Sequence, residues 1–234
     1  MNLIYFFVLF LLTTSSLINA WRWSRIAQRE HYIPGYVTKF YFRWVKLIPF
    51  NNFYFFLTLI FMILSLWNPY TAILVAILSL LLPRGLSFNW RTSKVDQTER
   101  IKRLNTVYFI LISLISIASV LLKYGYFLAL FANVFSFFVY DQALKLTKNF
   151  EKNQSQIFVD RAEAKLGTFS GPIVSITGSY SKTTTKNTLK QILSTTNDVF
   201  VTPESYNNRL GIAKSINENL KSNNEIAIFE MGTY

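Results

Sequence analysis

Long apolar stretches without charge are the feature that most constrains how this chain folds. Residues 2–20 carry no charged side chain. At about 1.5 Å per residue, such a helix crosses most of a hydrocarbon core about 30 Å thick. Similar stretches recur before residue 141, and 51% of the 234 residues are hydrophobic. The sequence therefore predicts a multi-pass α-helical membrane block of about five helices, at residues 2–20, 49–67, 70–82, 104–122 and 126–140.

The first apolar stretch has an alternative interpretation as a signal peptide. A signal peptide has a basic segment before its apolar core and small residues at a cleavage site. Residues 2–20 have no Lys or Arg before the apolar core, and the stretch ends in Leu17-Ile18-Asn19-Ala20. We therefore interpret it as a retained helix.

The positive charge is concentrated in loops of the apolar half. Residues 1–140 contain 13 Lys or Arg against three acids, whereas residues 141–234 contain 11 against nine. Loops rich in Lys and Arg stay on the cytoplasmic side of a membrane. Five crossings place both basic loops, at residues 22–46 and 84–103, and the polar C-terminal part in the cytoplasm. The stretch at 70–82 is short for a span, so a tilted helix and a re-entrant segment both remain open. If this stretch did not cross the membrane, the later basic loop would lie outside the cell.

The same counts exclude several classes of function. The chain has no cysteine and a single histidine, His31, so a disulfide framework, a Cys-based zinc site and a Ser/His/Asp triad are excluded. Because the excess charge belongs to the membrane block, no nucleic-acid partner is predicted, and the predicted partner is the lipid bilayer. The predicted spans contain no Asp, Glu, Lys or Arg, which favours anchoring over transport.

The polar C-terminal part has the order of a phosphate-binding domain. Residues 141–171 are predicted to be a connector that is helical in part, and 173–177 to be a buried strand. A Gly/Ser turn follows and leads into a helix at 186–193. Backbone N–H groups of such a turn and of the helix N-terminus bind anions. The predicted fold is thus a membrane block followed by a partial α/β P-loop domain at 172–234.

Two side chains of this turn have the chemistry that a nucleotide requires. Lys182 would reach the β- and γ-phosphates, and the Thr183 hydroxyl would bind Mg²⁺. The alternative is an ordinary strand–turn–helix with a capping Ser/Thr cluster and a solvated lysine. Ile176 stands where the standard spacing of a phosphate-binding loop has glycine, so the loop alone leaves both interpretations open.

A carboxylate is predicted at the same edge of the sheet. Residues 199–201 and 226–229 are predicted strands, separated by a helix near 212–220, and Glu230 follows the last strand. Ligands bind outside the carboxyl ends of parallel strands, where an acid can hold Mg²⁺. Glu230 taken singly is more often an ordinary acid at a strand end, but taken with the loop it fits a site.

Three motifs in this order resemble the Mur ligase family, and within it the members that add D-alanyl-D-alanine to UDP-muramoyl tripeptide. The motifs lie at 177–186, 206–211 and 229–232. The resemblance implies that ATP phosphorylates a substrate carboxylate and that an amine then attacks the acyl phosphate to form an amide. It implies ATP and Mg²⁺ as cofactors and a peptidoglycan precursor with an amino acid or dipeptide as substrates. Together with the apolar helices, such a substrate predicts a place in the bacterial inner membrane.

The resemblance also assigns roles to individual residues. Lys182 and the loop would clamp the phosphates, Thr183 and Glu230 would ligate Mg²⁺, and two asparagines would line the triphosphate and acyl substrate. The loop residues are Gly178, Ser179, Tyr180, Ser181 and Thr184, and the asparagines are Asn207 and Asn208. The family has glycine where Ser181 stands, so a left-handed backbone there would cost about 1 kcal/mol. Ser205 likewise replaces an asparagine.

The region before the strand at 173 departs from the family more strongly. About 32 residues separate Tyr140 from Ile173, too few for the domain that holds the uridine nucleotide in classical members. A ligase acting on a lipid-linked muropeptide is therefore one alternative. The family's later segments are also missing after Glu230, so we expect a fragment of a longer ligase that is inactive alone. A non-catalytic membrane protein with a degenerate nucleotide-binding module is the other alternative.

Overall fold

The computed structural model describes residues 3–86, 97–122, 126–203 and 206–232. The chain forms two compact units, residues 1–148 and 149–234, each with its own hydrophobic core. The boundary lies inside one long helix. Ser205 and the basic residues Arg91 and Lys94 lie outside the described residues.

The first unit is entirely helical in its described part. A core of buried apolar side chains, including Leu12, Trp23 and Tyr108, holds it together. Its outer surface is also apolar, with Phe10 65% and Phe53 64% exposed. The helices are α1 Leu3–Arg29, α2 Tyr36–Leu47, α3 Pro49–Leu64, α4 Thr71–Leu81, α5 Glu99–Leu121, α6 Tyr126–Val134 and the first part of α7 Ser136–Gly167. Helices that are apolar on all sides are typical of a membrane environment.

Length and composition support fewer spans than the predicted five. Only α1 and α5, among the described helices, are long and apolar enough to cross a membrane by themselves. The number rises to four if each of two bent pairs counts as one span, α2 with α3 at 110° and α6 with α7 at 83°. The remaining apolar helix, α4, has 11 residues. Its shortness agrees with the short stretch seen in the sequence.

The predicted helix at 126–140 is divided at Phe135. Polar side chains on both sides of the break bond to α1: Asn133 Nδ2 donates to the Leu12 carbonyl at 2.9 Å, and Trp23 Nε1 donates to Ser136 Oγ at 3.2 Å. These bonds fix both flanks of the break against α1. Broken helices persist in membranes where the protein buries the free backbone groups. Apolar periodicity does not reveal such a break.

The first basic loop of the sequence contains the helix α2. Val37, Tyr41 and Val45 form its buried face, while the basic side chains lie on the opposite, exposed side. The Asp141 carboxylate accepts hydrogen bonds from the backbone N–H groups of Gly35 and Thr38, at 2.9 and 2.7 Å. A negative charge at a helix N-terminus is stabilising. The distant Asp141 therefore supplies a cap that the local sequence lacks.

The second unit is a three-stranded parallel sheet with helices. Its elements are the last part of α7, β1 Ile173–Ile176, α8 Lys182–Leu193, β2 Val199–Val201, α9 Arg209–Asn219 and β3 Ile226–Glu230. The sheet order is β1-β3-β2, and Ile176 pairs with Glu230. The strands lie where the sequence predicts them, but β1 is not buried as predicted. Ile173 is 48% exposed, because β1 lies at an edge of the three-stranded sheet. The helices begin earlier than predicted, at Lys182 and Arg209, because the polar residues after each turn already form the first helical turn.

Candidate functional site

The loop between β1 and α8 has the conformation of an anion-binding turn. Gly178 has φ 148° and Ser181 has φ 59°, both in the region that favours glycine. Helix α8 begins directly afterwards at Lys182, and no side chain caps its N-terminus. The first N–H groups of a helix have no partner within the helix. In this loop they are available to an anion such as a phosphate.

Lys182 and its neighbours surround the turn between β1 and α8. The Lys182 ammonium folds back and donates a hydrogen bond to the Gly178 carbonyl across the turn. Tyr180, at the tip of the loop, is 91% exposed. Ser179 and Thr184 are also exposed. The tip of the loop is thus open to solvent, whereas Gly178 and Lys182 are half-buried.

Glu230 is the buried centre of a polar cluster at the end of β3. Its Oε2 lies 3.0 Å from the Lys186 ammonium and accepts a hydrogen bond from Thr183 Oγ1 at 2.9 Å. Its Oε1 lies 3.4 Å from Asn207 Nδ2. The Glu230 backbone N–H donates to Thr202 Oγ1 at 3.0 Å, which fixes the strand end. Parallel pairing of β1 with β3 therefore brings Thr183 and Glu230 together, as the sequence predicted.

The surroundings of Glu230 keep it ionised. Burial raises the pKa of its carboxyl, but hydrogen bonds from Lys186 and Thr183, the Lys186 charge and a hydrogen bond from Asn207 outweigh burial and lower the pKa below its ordinary value. A carboxylate that stays charged near a hydroxyl is suited to binding a cation.

The two asparagines have different positions. The side-chain amide of Asn207 contacts Glu230, and the backbone carbonyl of Asn207 accepts a hydrogen bond from the Gly232 N–H at 2.7 Å. Asn208 instead caps α9, where its side chain accepts a hydrogen bond from the Gly211 N–H at 2.8 Å. Asn207 is thus part of the cluster, whereas the Asn208 side chain is engaged in holding a helix end.

Lys186 is a member of the site that sequence reasoning missed. Its side chain is 2% exposed, and it forms the ion pair with Glu230. A signal was present in the sequence, because residues three apart on a helix share a face and Thr183 precedes Lys186 by three. Without a known partner for that face, Lys186 was indistinguishable from a solvated lysine.

The donor set fits Mg²⁺ bound together with phosphates. Thr183 Oγ1 and the Glu230 carboxylate are hard oxygen donors placed 2.9 Å apart. In the described part of the chain, no group of three or more His, Cys, Asp or Glu side chains could hold a metal ion alone. Mg²⁺ usually binds through one or two carboxylates plus substrate phosphates and water. Two protein oxygens beside a phosphate loop satisfy that pattern.

Replacing Ser181 with glycine is expected to stabilise the second unit by about 0.5–1 kcal/mol. The change removes a strain of about 1–2 kcal/mol from the left-handed backbone of the folded state. It also increases the conformational entropy of the unfolded chain, which lowers the free energy of the unfolded state by about 0.4–1 kcal/mol and offsets part of that gain. Hydrogen exchange of β1 and β3 amides measures the difference. Ser179→Gly is the matched control, because Ser179 lacks a positive φ and should lose stability. A stabilising Ser179→Gly would contradict the explanation by backbone strain.

Comparison with known proteins identifies the second unit. Residues 176–234 match the model of the Mur ligase middle domain. Over 63 residues the chain is 41% identical to UDP-N-acetylmuramoyl-tripeptide–D-alanyl-D-alanine ligase of Synechocystis sp.. The matched stretch covers 27% of this chain and 14% of that protein. No solved structure matches the chain. The segment that contains the loop, Lys182, Thr183 and Glu230 is therefore similar to the middle domain of Mur ligases.

Proposed function

We propose that this chain is the membrane-anchored, ATP-binding part of an amide ligase of peptidoglycan precursor synthesis. The observation that carries the proposal is the meeting of Thr183 with the buried Glu230 carboxylate beside the phosphate loop. The match to the Mur ligase middle domain supports the same reaction class. The chain spans 14% of the length of the similar ligase, so the complete reaction is proposed only for a ligase that contains this chain.

Four side chains of the site have roles in the proposed reaction. The Lys182 ammonium and the N–H groups of the 178–184 loop bind the ATP phosphates. Thr183 and Glu230 hold Mg²⁺, which neutralises phosphate charge when bound. Asn207 positions Glu230 beside the acyl substrate. Such catalysis works by positioning and charge stabilisation, so it needs no catalytic His or Cys.

The substrate proposed first is UDP-muramoyl tripeptide with D-alanyl-D-alanine. The supporting observation is the 41% identity over 63 residues to a ligase with that name. The test is ATP-dependent phosphate release by the ligase that contains this chain, with both substrates supplied together. Release should require both substrates. Absence of release with this pair, despite turnover of another amine, would remove the substrate assignment and leave the ligase class.

A lipid-linked muropeptide is the second candidate substrate. The apolar surface of the first unit favours it, together with the short segment between residues 140 and 173, which α7 occupies up to Gly167. The same assay decides between the candidates when the lipid-linked and UDP-linked forms compete. A chain that binds no ATP at all would instead favour a non-catalytic membrane protein with a degenerate nucleotide-binding module.

We also propose that the first unit crosses the membrane five times and places the second unit in the cytoplasm. In this proposal α1, α3, α4 and α5 each cross, and the bent pair α6–α7 makes the fifth crossing. The concentration of Lys and Arg near α2 and before α5 supports the orientation. The turn between α3 and α4, at Asn68, would then lie outside the cell.

Single cysteines test this topology without background, since the chain contains no cysteine. Asn68→Cys should react with a membrane-impermeant maleimide in intact cells. Lys39→Cys on α2 and Lys190→Cys on α8 should react only after the membrane is opened. All three side chains are exposed in the structure. Labelling of Lys190→Cys in intact cells would contradict the cytoplasmic placement.

A further inference from the structure

Lys186 is a buried cation to which the proposed chemistry assigns no role. It lies on α8, one turn after Thr183, and its ammonium lies 3.0 Å from Glu230 Oε2. Both side chains are 2% exposed. Burying a charge is costly unless an opposite charge lies close by. The fold therefore maintains this pair at the point where the proposed metal ligands meet.

The Glu230 carboxylate, which is proposed to bind the cation, already accepts hydrogen bonds from protein donors. Glu230 Oε2 accepts hydrogen bonds from both Lys186 and Thr183, which use its two lone-pair positions. Glu230 Oε1 faces the Asn207 amide at the longer distance of 3.4 Å. Thr183 in turn directs its hydroxyl hydrogen at Glu230. A divalent cation that takes these ligands must displace at least one of those hydrogen bonds.

Charge balance opposes a free divalent cation at the same place. Lys186 and Glu230 together carry no net charge, and an ammonium about 3 Å from the ligand oxygen repels a second cation. Oxygen sites for divalent cations become tighter as the number of charged ligands grows. Lys186 neutralises the negative charge of Glu230. The phosphates of a bound nucleotide would supply the negative charge that a divalent cation then needs.

We propose that Lys186 is a positioning residue that neutralises Glu230 and excludes a free divalent cation, so that the cation enters only together with nucleotide phosphates. The proposal rests on the proposed function, because it takes Thr183 and Glu230 as cation ligands. It assigns to Lys186 the control of the order in which the ligands bind. Direct contact with substrate is not required.

The test is equilibrium dialysis of Mn²⁺ against the full 234-residue chain in detergent, with and without ATP. Wild type should bind Mn²⁺ weakly alone and at least about tenfold more tightly with saturating ATP. Lys186→Gln removes the charge but keeps a donor for Glu230. It should bind Mn²⁺ without nucleotide about tenfold more tightly than wild type, as expected when a close like charge is removed. Lys186→Arg keeps the charge and should behave as wild type.

Separate outcomes overturn this inference and the proposed function. Equal or weaker Mn²⁺ binding by folded Lys186→Gln without nucleotide overturns the role of Lys186. Wild type that binds Mn²⁺ equally with and without ATP overturns it as well, and this measurement needs no variant to fold. If Glu230→Gln binds Mn²⁺ with ATP as tightly as wild type, Glu230 is not a metal ligand and the proposed function fails instead.

Discussion

Replacing Lys182 with alanine is expected to weaken ATP binding to this chain by about ten- to a hundredfold. A hydrogen bond to a charged group contributes about 1.5–3 kcal/mol, and Lys182 is the cation that reaches across the phosphate loop to Gly178. In the ligase, the loss of a charge-stabilising donor is expected to slow phosphate release by about 10²–10³-fold. Equilibrium binding of a fluorescent ATP analogue and a phosphate-release assay measure the two effects.

Lys190→Ala is the matched control for Lys182→Ala. Lys190 lies two turns further along α8, is exposed and carries the same charge. Its removal changes the net charge equally, so it should leave both ATP binding and phosphate release within about twofold, as expected for an exposed charge away from the site. If the two variants weaken ATP binding to the same extent, general electrostatic attraction rather than a specific clamp explains the binding.

Breaking the Lys186–Glu230 pair is expected to cost the second unit about 3–5 kcal/mol. Lys186→Met leaves the Glu230 carboxylate buried with no cation beside it, and removal of one partner of a buried ion pair has a penalty of this size. Both side chains are 2% exposed, so water does not screen the pair. Hydrogen exchange of the β3 amides, corrected for intrinsic rates, measures the loss.

The double variant Lys186→Met with Glu230→Met tests the reason for that loss. Replacing both partners of a buried pair by apolar side chains is often neutral or stabilising. The double variant should therefore recover most of the stability lost by Lys186→Met alone. All five tryptophans precede residue 91, so their fluorescence reports the first unit and should not change. Additive losses in the double variant would show that cavity formation, not the unpaired charge, causes the effect.

The sequence predicts the elements around the site well because their signals are local. Apolar β-branched runs predict β1 and β3, and a Gly/Ser turn before Lys182 predicts a loop that leads into a helix. The three motifs at 177–186, 206–211 and 229–232 predict the reaction class through resemblance, and residues 176–234 match the Mur ligase middle domain. These inferences need only neighbouring residues and their spacing.

The helical first unit shows where local signals end. Apolar stretches predict helices, and α3 and α4 lie close to the predicted bounds. The break at Phe135 depends on Asn133 bonding to Leu12, which lies 121 residues away in the chain. Helix α2 likewise depends on Asp141, which is more than 100 residues away from the N–H groups that it caps. Tertiary packing brings such partners together, and the apolar periodicity of the sequence does not predict them.

The sequence by itself determined that the chain begins with apolar helices and continues into a strand, a Gly/Ser loop and a helix, and it predicted Lys182, Thr183 and Glu230 as site residues. Only the tertiary structure decided that Lys186 belongs to the site and that Asn208 serves as a helix cap. The reason is that β1 pairs with β3 in a register that places Ile176 opposite Glu230. That register brings Glu230 to α8, and the cost of burying its charge then selects the lysine beside it.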